Sequence, residues 1–246
     1  MKILDILLDT FTALKEKGLK HVVKVITDVA GGNLHNCFWY TYGKVFNKTV
    51  VHVIGDSHVR VFKGQKRFII HHLGPATAYN LSSKHSTTDS NEKFWNVVDT
   101  LVEKKKDKIL LVFGEIDSRI HIYKAYKKKG SSIDDVIYAT ISRYDEVLSQ
   151  LNERGYTFYV HGIPPGSKQE NIYNVSHYPT PEMRAKINKR FHEVLEEHCK
   201  KRGYKYIDVY MPYVNEEGFI KREYELDEVH LNNRIIPEVK RAINFY

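Results

Sequence analysis

Cysteine is scarce in this chain, with Cys37 and Cys199 the only two. Two thiols so far apart make neither a disulfide framework nor a zinc site with its paired ligand spacing, so both are expected as buried thiols in a reducing compartment. Long apolar runs are missing as well. No stretch reaches the roughly 18 uninterrupted apolar residues that a membrane span needs. The opening segment Met1 to Asp9 carries Asp5 and Asp9 within a short apolar run, unlike the uncharged core of a signal peptide. A cytoplasmic location with no membrane contact is therefore expected. Internal repeats, linkers and low-complexity tracts are also absent. Acidic residues are in the minority, 30 Asp and Glu against 38 Lys and Arg, for a net charge of +8. Such an excess invites a nucleic-acid reading. The runs Lys104-Lys105-Lys106 and Lys127-Lys128-Lys129 flank predicted helices, however, where solvated charge is the ordinary explanation. Nucleic acid is not expected as a partner, whereas an acidic or phosphorylated substrate is compatible.

What is present suffices for a folded interior. Hydrophobic residues make up 42% and charged residues 28% of the 246 positions, the composition of one globular core without staples. Residues 1 to about 30 read as helical, with Ile3, Leu7, Phe11 and Leu14 at helical spacing and Gly31-Gly32 breaking the pattern. Such helices suit a dimer contact, so a homo-oligomer formed through them is one expectation. Residues 33 to 50 hold Phe38, Trp39, Tyr40 and Tyr42 and read as an irregular packing segment or a cleft wall. A β-branched run, Thr49 to Ile54, then ends at Gly55 and has the character of a buried parallel strand. Similar runs follow at Ile109 to Phe113, Thr157 to Val160 and Tyr204 to Val209. Between them lie helical patterns at about 92 to 105, 132 to 153 and 181 to 201, the last opening on Thr180 as N-cap with Pro181 in the first turn. This alternation predicts an α/β fold with a parallel sheet covered on both faces, preceded by an N-terminal helical extension over 1–48, the α/β domain spanning 49–246.

In such sheets a site gathers beyond the carboxyl ends of the strands. That edge collects Gly55-Asp56-Ser57, Gly114-Glu115-Ile116-Asp117 and the turn Gly162 to Gly166. A serine hydroxyl attacks weakly unless a base removes its proton, and the base needs a third group to orient it. Ser57 has that serine's position, and Asp227 and His230, three residues apart near the C-terminus, supply the pair. Ser57 also suits a plain helix N-cap, which the Asp227 and His230 spacing outweighs. His58 reads as a wall or substrate contact rather than a second base. Of the remaining histidines, His52, His71, His72, His121, His161 and His177 show no convincing ligand spacing, so neither a metal nor another cofactor is expected.

These blocks resemble those of the SGNH or GDSL hydrolase superfamily, which has a Gly-Asp-Ser nucleophile block, a glycine block, a Gly-x-Asn-Asp block and a closing Asp-x-x-His. Gly55-Asp56-Ser57 and Asp227-Glu228-Val229-His230 match the first and last, and the resemblance covers about residues 49 to 243. It implies a flavodoxin-like three-layer α/β/α sandwich and a serine esterase or acyltransferase, hydrolysis being the readier outcome. It also implies Ser57, Asp227 and His230 as the triad, with the N–H groups of Ser57 and Gly74 in the oxyanion hole. The third block departs from the pattern. Ile116 stands where the family has its asparagine donor. Arg119 is the nearest replacement, facing an oxyanion or an anionic part of the substrate, with Asp117 pairing to Arg119 or Arg60. The bland alternative makes Glu115, Asp117 and Arg119 a structural ion-pair network. His58, Arg60, Glu115, Asp117 and Arg119 are thus the candidate substrate contacts, and the tyrosines near 38 to 42, 79 and 123 are candidates to stack on a sugar ring. A small, polar acylated metabolite such as a modified sugar or nucleotide sugar is the expected substrate. The rival reading is a catalytically weak binding module for a glycan or anionic ligand, since a fold does not guarantee its reaction.

Overall fold

The computed structural model describes residues 34–168, 170 and 178–245. The helices expected within residues 1 to 30, and the oligomer contact assigned to them, lie outside the described residues. Among the described residues, five short strands form one parallel sheet: β1 (Val51–Gly55), β2 (Phe68–His72), β3 (Lys108–Val112), β4 (Thr157–His161) and β5 (Lys205–Ile207). Their order is β2-β1-β3-β4-β5, so the strand that leads to Ser57 is an inner one. Val51 to Ile54 and Ile109 to Val112 are buried throughout, the environment that runs rich in β-branched residues and leucine favour.

Two cores lie on the two faces. On one, Ile54, Ile109 and Leu111 of the sheet pack against Phe94, Ile122, Ile141 and Phe191. On the other, Val51, Val53 and Leu110 meet Leu231, Ile235, Ile236 and Val239. Apart from Leu231 and Ile235, which precede α6, the partners of the sheet lie on α2 (Ser90–Leu101), α3 (Ile122–Lys129), α4 (Ile133–Glu153), α5 (Pro181–Arg202) and α6 (Ile236–Ala242), with α1 (Leu34–Val45) before the sheet. Helices on both faces of a parallel sheet give the expected α/β/α layering. Local chemistry sets their ends. Ser132 and Asp135 form a reciprocal capping box at the start of α4, and the Thr180 hydroxyl accepts the Met183 N–H at the start of α5.

Two elements differ from the sequence reading. Residues 34 to 45 are helical rather than irregular. The side chain of Asn36 on α1 donates to the Ile70 carbonyl at 2.7 Å and accepts the Ile70 N–H at 2.9 Å, so it pairs with the outer edge of β2 as a neighbouring strand would. The strand β2 itself was not expected. Its sequence, Phe-Ile-Ile-His-His, is short and ends in two histidines, which hides the apolar run. Among the described residues, no helix is long and apolar enough to cross a membrane.

Candidate active site

The nucleophile segment is shaped by close packing at the end of β1. A Cβ on Gly55 would collide with the Val112 carbonyl of β3, so only glycine lets the two strands run together here. Asp56 then donates its N–H to that carbonyl at 3.2 Å, and its buried carboxylate caps the 3₁₀ turn Ser57–Phe62 by accepting the His58 N–H at 2.9 Å. This turn raises Ser57 at the sheet edge. Leu73, just past β2, donates its N–H to the Gly55 carbonyl at 2.9 Å and holds the next loop alongside.

The Asp227 to His230 segment meets Ser57 from the α6 face. It is a tight bend pinched by the bridge between Glu225 and Leu231 and by the Leu226 N–H on the His230 carbonyl at 2.8 Å. One carboxylate organises the bend and the ring together. Asp227 accepts the N–H groups of Val229 at 3.0 Å and His230 at 2.9 Å, while both its oxygens lie 2.9 Å from His230 Nδ1. Burial works against the Asp227 charge, but these N–H groups and the imidazole outweigh it and lower its pKa. With Nδ1–H held by the carboxylate, Nε2 is the basic nitrogen, and it lies 2.8 Å from Ser57 Oγ.

His58 is not a wall of a substrate cleft. It is 7% exposed, its Nδ1 donates to Asp56 Oδ1 at 2.8 Å, and its Nε2 donates to the Val229 carbonyl at 2.9 Å. An imidazole that faces acceptors on both sides satisfies them only as the doubly protonated cation. The second carboxylate, Glu115, lies 3.9 Å from Nε2. Burial by itself would lower the His58 pKa, yet the charges of Asp56 and Glu115 and the two hydrogen bonds raise it to about 9. Its ring lies 4.7 Å from that of His230. His58 thus ties the nucleophile turn to the histidine bend through the residue before His230.

Asp117 also departs from expectation. It pairs with neither Arg119 nor Arg60, because its oxygens accept the N–H groups of Ala78 at 2.7 Å and Tyr79 at 3.2 Å. Burial raises its pKa to about 7 despite those bonds. Its part is to fasten the loop after β2, which carries Gly74, to the end of β3. Gly74 has φ of 84°, a conformation that suits glycine. Arg60 is exposed on the 3₁₀ turn. Ile116 is buried at the start of a π-helical turn, Asp117–His121, and offers no polar group.

Glu115 and Arg119 do form an ion pair, at 2.6 Å from Nε to Oε1, four residues apart. Both line a narrow polar slot beside Val229 and Glu228, to which Ser167, Arg184 and Asn188 contribute. Arg184 and Asn188 are each 2% exposed, and Arg184 donates to the Ser167 carbonyl at 2.9 Å. These last residues were not read from the sequence as part of a site. They come from α5 and the loop after β4, and only the fold brings them to Glu115. No three His, Cys, Asp or Glu side chains among the described residues cluster in a way that would hold a metal ion.

No protein-family model matches the chain, and no curated protein matches it by sequence. Solved structures do match its fold. A GDSL-like lipase from Bacteroides thetaiotaomicron VPI-5482 aligns over 83% of this chain and 95% of its own, with a TM-score of 0.55 at 15% identity. A protein from Bacteroides fragilis NCTC 9343 described as a proposed acylhydrolase aligns over 80% and 85%, with a TM-score of 0.53 at 16% identity. A third, from Streptococcus pneumonia and described as a proposed platelet activating factor, covers 92% and 98% at 0.54 and 14%. The chain therefore has the α/β fold of the SGNH or GDSL hydrolases.

Proposed function

We propose that the chain is a serine hydrolase of the SGNH kind that cleaves an ester of a small, polar acylated compound. One observation carries the reading. A continuous hydrogen-bonded line runs from the Asp227 carboxylate through the His230 imidazole to Ser57 Oγ, at 2.9 and 2.8 Å, at the carboxyl edge of a sheet whose fold is similar to that of a GDSL-like lipase. In this reading His230 Nε2 takes the Ser57 proton as Oγ attacks the ester carbonyl, and the imidazolium that forms is stabilised by Asp227. The same proton goes to the departing alkoxide, leaving an acyl ester on Ser57. Water, deprotonated by His230, then breaks that ester and releases the acid. The N–H groups of Ser57 and Gly74 hold the developing oxyanion. Ile116 adds no donor, and Arg119 is engaged by Glu115, so a two-donor hole is the proposed arrangement.

Replacement Ser57→Ala tests it. With 4-nitrophenyl acetate, turnover should fall by about 10⁴-fold or more while the circular dichroism spectrum stays the same, and a fluorophosphonate should label the wild-type chain at Ser57 alone. Undiminished turnover in the alanine variant rejects the triad. A correctly folded wild-type chain that neither turns over esters nor takes the label supports a binding module instead.

A further inference from the structure

A second concavity lies away from the polar slot. A cleft of about 400 Å³ opens between the loop Thr77 to Asn80, α3 and α4. Its size is at the lower end of the range for small-molecule sites. Ile122 and Ala125 of α3 and Val136 and Ala139 of α4 line it with apolar surface. Thr77 and Asp117 line it too, and Asp117 fastens the loop after β2, which Leu73 ties to the Gly55 carbonyl two residues before the nucleophile. The cleft thus shares with the nucleophile turn the loop that carries Gly74.

Its position relative to the base is fixed by the sheet. The His230 bend arrives from the face where Leu231, Ile235 and Ile236 are packed, while α3 and α4 cover the opposite face through Ile122, Ile137 and Ile141. His230 must hand its proton to the leaving group, so the leaving group lies on the His230 side of Ser57 and the acyl group lies away from it. The acyl group is thereby aimed at the cleft.

Two ammonium groups without a carboxylate partner among the described residues stand at the cleft. Lys124 and Lys128, one helical turn apart on α3, stand on its wall, and neither is ion-paired among the described residues. The two carboxyl groups in the lining turn to other donors, Asp117 to the N–H groups of Ala78 and Tyr79 and Asp135 to the N–H and hydroxyl of Ser132, so neither pairs with the lysines. The geometry points to this cleft as the acyl pocket, selecting a medium-length acyl chain that ends in a carboxylate, that is, a half-ester of a dicarboxylic acid. This inference rests on the acyl-transfer reading above. The chemistry is unchanged by it. The acyl–oxygen bond breaks, Ser57 carries the acyl group, and water releases a dicarboxylate and the alcohol.

Two esters with equal chain length test the idea: 4-nitrophenyl hydrogen adipate, with a terminal carboxylate, and 4-nitrophenyl hexanoate, without one. Rates are taken after subtraction of the Ser57→Ala background. The wild-type ratio of kcat/KM, adipate over hexanoate, should be at least about fivefold, as expected for two partly exposed cation contacts. In Lys124→Glu/Lys128→Glu it should fall below one. Ala125→Trp, which fills the apolar part, should lower the ratio of hexanoate to acetate turnover by about tenfold. A wild-type ratio near one, or a ratio unchanged by the charge reversal, overturns the inference while Ser57-dependent hydrolysis leaves the acyl-transfer reading intact. Loss of all Ser57-dependent turnover in the wild type instead overturns that reading and this inference together.

Discussion

Replacing His58 by leucine removes one cation from between two carboxylates, and the cost follows from the surroundings of that ring. Asp56 is fully buried and Glu115 is 6% exposed. Without the imidazolium, Asp56 keeps only the backbone N–H of residue 58 as a donor, and Glu115 keeps Arg119. Breaking a buried ion pair by removing one partner typically costs about 3 to 5 kcal/mol. The titration provides a second, independent magnitude. A rise from 6.5 in the unfolded chain to about 9 in the folded one corresponds to about 3 kcal/mol. Because the folded pKa is the higher one, this stability is complete below about pH 6.5 and disappears as the pH climbs through about 9. The groups that face the ring are Asp56, Glu115 and His230, together with His161, which burial pushes down to about 4 and so keeps neutral. Guanidinium denaturation followed by tryptophan fluorescence should show His58→Leu less stable than wild type by about 3 kcal/mol at pH 6, with the gap narrowing to about 1 kcal/mol or less at pH 9.5. A gap under about 1 kcal/mol at pH 6, or one equally wide at both pH values, refutes the buried imidazolium.

Two further outcomes follow from single contacts. Asp227→Asn should lower kcat for 4-nitrophenyl acetate by about 10²-fold or more, because the amide cannot hold the Nδ1–H tautomer of His230 in the same way, and steady-state kinetics with little change in KM would check it. Asn36→Ala strips the two side-chain bonds at Ile70 and should cost about 1 to 3 kcal/mol in urea denaturation, without altering the turnover measured per folded molecule.

The strands that lead to the site were legible because they are buried on both faces and so read as apolar runs, interrupted by a polar group only at His52: Val51 to Ile54, Ile109 to Val112 and Phe158 to Val160. The ends of α4 and α5 were legible because Ser132 and Thr180 cap them through local contacts that a sequence displays. The residues that were misread act through long-range partners. Asp117 looks like half of an ion pair in Asp-Ser-Arg, yet its partners are backbone N–H groups 38 and 39 residues away, which no side-chain pattern announces. His58 reads from the sequence as a wall or substrate contact, whereas the chain leaves the strand at Gly55 and the 3₁₀ turn folds the ring back over Asp56. The helix at 34 to 45 was hidden by Gly43 and by consecutive aromatics that mask its period.

The pairing of Asn36 with Ile70 has a consequence for any shortened form of the protein. Ser57, Asp227 and His230 all lie beyond residue 49, so a chain that began there would retain every group of the proposed triad. It would also present the outer rim of β2 bare, a row of N–H and C=O groups ready to template pairing with another molecule. Truncation there would first be felt as a loss of colloidal behaviour, with the chemistry still in place in whatever fraction remained monomeric.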